Sequence, residues 1–230
     1  MNNRPYVLLS CAASLDGYID DASADRLLLS NDADFDRVDE VRAGCDAILV
    51  GATTIRKDNP RLLVRSQERR DQRVAHGRPA SPIKVTITGS GDLDPTAQFF
   101  ATGDSLKIVY APASAMDKAR TSVGVAAEVV EAGEPVDLNL VLADLVARGV
   151  ERLMVEGGGR IHTQFLTSGL ADELQLVMAP FFVGDSRAPR FTYDGTFPWN
   201  QQHRARLADT LKLDDVVLLR YALSDRYPGT

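Results

Sequence analysis

The chain alternates short, continuous apolar runs with stretches whose apolar positions recur every three or four residues. Residues 6–13 are the first such run and read as a buried strand, stopped by Ser14-Leu15-Asp16-Gly17, where Asp-Gly marks a turn. Phe35, Val38 and Val41 then fall at the spacing of one helix face, so a helix capped by Asn31 or Asp32 is predicted to about Gly44. Residues 46–51 give a second strand, and Thr53 or Thr54 is placed to cap a short helix before Pro60. Residues 66–79 are charged, rich in arginine and poor in apolar side chains, which predicts a solvated excursion. Further strands are predicted at residues 83–88, 106–110 and 126–130, followed by an amphipathic helix at 138–148. The apolar run 152–155 reads as a strand ending at Glu156, which Gly157-Gly158-Gly159 turns into a second amphipathic helix at 160–168. Beyond it lie a long apolar run at 173–183, a loop holding Pro189, Pro198 and Trp199, and two closing runs at 206–213 and 216–222.

Strands alternating with helices predict an α/β protein: a single domain with a mainly parallel mixed central sheet flanked by helices, and an antiparallel C-terminal hairpin. Composition agrees, because 230 residues that are 44% hydrophobic but only 7% aromatic suit strands rich in aliphatic side chains and covered on both faces. The formal net charge of −6 argues against a nucleic-acid partner, which calls for a broad basic face. Cys11 and Cys45 sit in apolar segments and read as reduced core residues. His76, His162 and His203 are scattered, and neither C-x-x-C nor H-x-x-x-H occurs, so no metal site is predicted. The first residues lack a signal-peptide apolar region and no apolar run is long enough for a bilayer, so a cytoplasmic protein without a membrane partner is expected.

Two segments carry candidate chemistry. A glycine turn between a strand and a helix presents the unpaired N–H groups of the first helical turn, a natural seat for a phosphate or pyrophosphate, with Glu156 at its lip. The second segment, residues 51–65, begins at the carboxyl end of a strand, the edge where open α/β sheets bind ligands. It holds the Thr53 and Thr54 hydroxyls, the Asp58 carboxylate and four cations, of which Arg61 and Arg65 have the planar fork that matches phosphate oxygens. Arg42 either complements its helix dipole or joins Arg65 in a phosphate clamp. Asp16 reads as a turn residue, and His162 as a surface or helix-packing histidine. Ser14 has no visible His/Asp relay and G-x-S-x-G is absent, which leaves nucleophilic hydrolysis unsupported.

In order, the chain carries Ser14-Leu15-Asp16-Gly17, the 46–51 strand, Thr54, Asp58-Asn59-Pro60-Arg61-Leu62-Leu63-Val64-Arg65, Val155-Glu156-Gly157-Gly158-Gly159, Leu170-Ala171-Asp172-Glu173-Leu174 and Ala179-Pro180-Phe181-Phe182-Val183-Gly184. This ordered set, spanning about residues 5–221, resembles the reductase family of the riboflavin pathway (the RibD C-terminal reductase domain), whose fold is like that of dihydrofolate reductase. The zinc deaminase signature that accompanies it in two-domain members is absent, so the resemblance implies a stand-alone reductase over residues 1–230, with its core at about 5–222. It implies NADPH-dependent reduction of a phosphoribosylamino-pyrimidine, of the 5-amino-6-(5-phosphoribosylamino)uracil type, to its ribitylamino form. Around the coenzyme it implies Ala13, Thr54, Asp58, Gly89, Gly157, Gly158, Gly159, Arg160 and Ile161, and Ser90, beside Gly89 in the sequence, is a candidate contact for an adenosine 2′-phosphate. On the substrate it implies Arg42, Leu62, Arg65 and Glu156, with Arg42 and Arg65 near the phosphate, and Arg61 joins them as a candidate on its guanidinium alone. With that chemistry, Asp58 is the candidate for assisting ring opening or protonation and Glu156 the candidate for holding the pyrimidine. A homodimer is implied as well, and Phe181–Val183 is an apolar segment that suits either an interface or the core.

The chain departs from many bacterial members at Ser10, in place of a lysine, at Leu28, in place of a tryptophan, and at Asn59, in place of the second acid of Asp-Asp-Pro. These changes touch the substrate side. They keep open a reductase of a dihydropterin, dihydrofolate or related heterocycle and, from another class, a non-catalytic nucleotide-binding protein. The first needs no phosphate clamp.

Overall fold

The computed structural model describes residues 4–23 and 27–228. Its elements in chain order are β1 (Tyr6–Ser14), α1 (Asp32–Gly44), β2 (Ala47–Gly51), α2 (Ala52–Asp58), α3 (Gln67–Ala75), β3 (Ile83–Ile87), α4 (Gln98–Ala101), β4 (Lys107–Ala111), a 3₁₀ turn at Ala113–Ala115, α5 (Met116–Val123), β5 (Glu128–Glu131), α6 (Leu138–Ala147), β6 (Arg152–Gly157), α7 (Gly159–Thr167), β7 (Glu173–Ala179), β8 (Arg206–Leu213) and β9 (Val216–Ala222). Every strand and long helix predicted from the hydrophobic pattern is present, with ends shifted by at most a few residues. The fold is α/β, with mostly parallel strands and antiparallel pairing at β7–β9–β8.

The chain forms two compact units, and their boundary falls inside α1 and β6. The first, residues 39–154 with residues 4–5, carries strands in the order β5-β4-β3-β2-β6. Its central strands are buried on both faces, which is why β2 reads as an unbroken apolar run. Asp46 fastens the strand starts: its carboxylate accepts the N–H groups of Glu151 (3.0 Å) and Arg152 (2.8 Å) and pairs with Arg78 at 2.6 Å.

Two expectations are corrected in this unit. Residues 66–79 are largely solvated as expected, but they are not an irregular excursion, because α3 occupies most of them. Ser66 caps α3 by accepting the Arg69 N–H at 3.4 Å, and Arg73, only 4% exposed, donates to the carbonyls of Ala43, Cys45 and Pro79 at 2.7–2.8 Å. A buried arginine with three carbonyl acceptors anchors the helix where apolar periodicity is missing. Nor does Thr53 or Thr54 cap α2; both lie inside it, after an N-cap at Gly51 that supplies no side-chain acceptor.

The second unit, residues 6–38 and 155–228, carries strands in the order β1-β7-β9-β8. Asn31 caps α1, its Oδ1 accepting the Asp34 N–H at 3.1 Å. Two fully buried carboxylates tie the strands together. Asp172 accepts from the Val7 N–H (2.9 Å), the Ser224 hydroxyl (2.6 Å) and Arg226 (3.1 Å); Glu173 accepts from the Tyr6 hydroxyl (2.9 Å), Gln175 (2.8 Å) and Arg220 (3.0 Å). Buried charges are tolerated here because each oxygen is paired and hydrogen-bonded. Among the described residues no helix is long and apolar enough to cross a membrane.

Candidate active site

In the first unit, α2 leaves the carboxyl end of β2 and carries Thr54 and, at its last position, Asp58. The chain then bends through Asn59 (φ +43°) and Leu62 (φ +49°), both in the left-handed region. Asn59 is stabilised there, because its N–H bonds the Ile55 carbonyl at 3.1 Å and its Oδ1 accepts the Gln98 N–H at 2.7 Å. Leu62 is only 2% exposed, and a bulky side chain with positive φ marks a backbone held by its surroundings. Arg42, on the last turn of α1, donates to the Leu63 carbonyl at 3.3 Å, so it reaches the same segment.

Arg65 projects outward, its side chain 59% exposed, while its backbone is fixed from behind. Asp39, with 2% exposure, accepts the N–H of Arg65 and that of Ser66 (3.0 Å) and pairs with Arg69 at 3.1 Å; Arg70 donates to the carbonyls of Val64 and Arg65 at 2.9 and 2.6 Å. Burial pushes the Asp39 carboxyl up, but those two backbone donors and the Arg69 guanidinium outweigh it and hold the group below its ordinary value. Sequence reading missed Asp39. Its one signal was a carboxylate four residues after Phe35, on a side of α1 where the period calls for an apolar residue. Arg61 is exposed on the same segment. Gly89 and Ser90, exposed after β3, lie on a loop that α2 touches through Arg56, which donates to the Asp92 carbonyl at 2.9 Å.

In the second unit, Glu156 is the half-buried penultimate residue of β6, and Gly158 caps α7 at φ +83° with no side-chain acceptor for the first-turn N–H groups of Gly159, Arg160 and Ile161. A turn of this kind leaves donors and the positive end of the helix dipole to an anionic ligand. Gly159 is constrained by the protein itself: a Cβ there would lie 2.0 Å from the Arg190 carbonyl oxygen and 2.9 Å from the Tyr193 ring. Ala13 is buried near the end of β1. Asp16, after it, is a turn residue with a longer reach, accepting the Ser14 hydroxyl (2.6 Å) and the N–H groups of Val183 (3.1 Å) and Gly184 (2.8 Å). Partial desolvation opposes its ionisation, but these three donors prevail and hold its carboxyl at about 2.

His162 is no surface residue. It is fully buried beside the Phe191 ring (5.3 Å between centroids), neither ring nitrogen has a hydrogen-bond partner, and burial pushes its pKa down to about 4. Its packing role is as expected. A shallow hollow of about 510 Å³, lined by Lys107, Arg120 and Glu128 among others, opens in the first unit at the amino ends of β4 and β5, the end of a parallel sheet away from ligand chemistry.

Comparison with known proteins bears on this arrangement. The model of the RibD C-terminal domain matches residues 5–219. The chain is 36% identical over 186 residues to the 2,5-diamino-6-ribosylamino-4(3H)-pyrimidinone 5′-phosphate reductase of Archaeoglobus fulgidus, covering 81% of this chain and 85% of the relative. It is 37% identical over 194 residues to the enzyme of that name from Methanothermobacter thermautotrophicus, covering 84% and 85%. Among solved structures, a pyrimidine reductase-like protein from Corynebacterium diphtheriae superposes with a TM-score of 0.79 at 24% identity, covering 96% of this chain and 92% of the other. Dihydrofolate reductase from Enterococcus faecalis superposes with a TM-score of 0.50 at 12% identity, covering 94% and 95%, a likeness of fold.

Proposed function

The chain belongs to the RibD C-terminal domain family, and from that premise we propose that it is a reductase of a ribosylamino-pyrimidine 5′-phosphate in riboflavin biosynthesis, working with NADPH. The observation that carries the reading is the uncapped glycine turn opening α7, whose first N–H groups suit a coenzyme diphosphate. When bound, NADPH supplies hydride to the ring-opened sugar C1′, and the protein contributes binding, orientation and local charge. Gly157, Gly158, Gly159, Arg160 and Ile161 hold the diphosphate, with Ala13, Thr54, Gly89 and Ser90 contacting the rest of the coenzyme. Arg65, braced by Asp39 and Arg70, takes the substrate phosphate with Arg42, and Arg61 and Leu62 line the same segment. Glu156 holds the pyrimidine, and Asp58 assists ring opening or protonation.

The two archaeal relatives favour the diamino-pyrimidinone over the deaminated uracil expected from the bacterial pattern. The dihydrofolate alternative rests on fold alone. The test is NADPH oxidation with the diamino-pyrimidinone phosphate, its deaminated counterpart and dihydrofolate. The diamino compound is expected to be turned over with the highest kcat/KM, and Arg65→Ala to lower that value about 30-fold, the scale of a charge-assisted pair with phosphate. Turnover of dihydrofolate alone, indifferent to Arg65→Ala, would replace this reading with the pterin one.

A further inference from the structure

The segment from Pro189 to Tyr193 crosses the start of α7 as a strap. On one side it pairs with the turn after β1: the Ile19 N–H donates to the Pro189 carbonyl (2.9 Å) and the Phe191 N–H to the Gly17 carbonyl (3.0 Å), around an antiparallel bridge between Tyr18 and Arg190. The Arg190 guanidinium stacks on the Tyr18 ring at 4.6 Å and donates to its hydroxyl at 2.8 Å, while Tyr18 itself is only 5% exposed. On the other side the Tyr193 N–H donates to the Thr163 hydroxyl at 2.9 Å, and Phe191 lies against His162. Between these two attachments, the Arg190 carbonyl occupies the space that a side chain on Gly159 would need.

The Tyr18 end is equally fixed. Its carbonyl accepts the Ser14 N–H at 2.8 Å and its N–H donates to the Ser14 hydroxyl at 3.0 Å, so the strap is tied directly to the end of β1 beside Ala13. A continuous path thus runs from Ala13–Ser14 through Tyr18 and Arg190 to Gly159. The two stretches it joins are both assigned to the coenzyme above.

The geometry points to Arg190 as a positioning residue for the coenzyme: held on Tyr18, it sets the glycine turn at the start of α7 against the end of β1, and Gly159 is glycine in order to admit the strap. This inference rests on the NADPH reading. Without the Arg190–Tyr18 contact the first-turn N–H groups sample orientations that no longer match the diphosphate, so binding weakens while the chemistry of a bound complex is preserved.

The experiment compares Tyr18→Phe, Arg190→Ala, Arg190→Lys and Gly159→Ala with the wild-type chain. Tyr18→Phe, which keeps the ring and removes one hydrogen bond, is expected to raise the NADPH KM about fivefold with kcat unchanged, and Arg190→Ala by about tenfold or more. Arg190→Lys, which keeps a cation over the ring, should recover part of the loss. Gly159→Ala should lower the melting temperature of the coenzyme-free protein, because the strap must shift. If wild type uses NADPH but Tyr18→Phe and Arg190→Ala keep its KM, the inference fails, whatever their melting temperatures. An unchanged coenzyme-free melting temperature in Gly159→Ala, with NADPH binding abolished, would return that glycine to the ligand and also overturn it. If wild type neither binds nor oxidises NADPH, the functional reading fails and takes this inference with it.

Discussion

At the scale of single residues, environment sets chemistry more than identity does. His162 and Asp16 are close in sequence logic, both read as bland, yet the protein shifts each in a definite direction. His162 has a folded pKa of about 4, below the ordinary histidine value near 6.5, because burial disfavours the imidazolium. Between those values the unfolded chain holds the proton and the folded chain does not, so stability falls as pH drops from about 6.5 and the loss is complete below about pH 4. The shift corresponds to about 3 kcal/mol at most. Urea midpoints measured from pH 7 to pH 4.5 should decline for wild type and decline less steeply for His162→Phe; parallel curves would contradict the buried neutral ring. The candidate site divides along similar lines. Arg65, Asp58, Glu156 and the glycines were legible as residue types in a ligand-binding pattern, and they stand in the proposal on that pattern. The roles of Asp39, marked only by its break in the α1 period, and of Arg190 were not read from the sequence, because their work is done by contacts 26 and 172 residues away in the chain. The positive φ of Leu62 has no sequence signal, since leucine is an unfavourable residue for that conformation.

At the scale of elements, the hydrophobic pattern found every strand among the described residues, the buried parallel ones because they leave continuous aliphatic runs in the sequence. It failed at α3. Seven of the nine residues in Gln67–Ala75 are charged or amide-bearing, so the helix has almost no apolar stripe, and its attachment comes from Ser66 at one end and the buried Arg73 in its last turn. Removing the cap by Ser66→Ala should lower unfolding free energy by about 1 kcal/mol in urea titration and speed amide exchange along α3. No change in either would mean that Arg73 and the Asp39 cluster alone hold the helix. Because Arg65 immediately precedes that cap, the helix also bears on how the guanidinium proposed for the substrate phosphate is presented. The short helices α4 and α5 were missed as well; Gln98–Ala101 is a single turn, too brief for any period to register.

At the scale of the whole molecule, homodimer formation remains the reading carried from the family resemblance. In the second unit Phe182 is 71% exposed, and Leu207, Leu211 and Val217 on the β8–β9 hairpin are 40–51% exposed, more apolar side chain than one hairpin and its neighbouring loop need show to water. Sedimentation at micromolar concentration should give twice the 25.0 kDa chain mass, and Leu207→Lys with Val217→Lys should shift it toward the monomer. A wild-type monomer would rule out the dimer. The sequence by itself determined the α/β class, the order of the strands and of the helices with an apolar stripe, the family motifs and the residue types proposed to meet a phosphorylated substrate and a coenzyme diphosphate, because hydrophobic period, glycine and charge act locally along the chain. Only the tertiary structure decided which carboxylate braces Arg65, why Gly159 admits no side chain, and that His162 is neutral and enclosed. Those outcomes depend on burial and on contacts between segments distant in sequence, which no local pattern encodes.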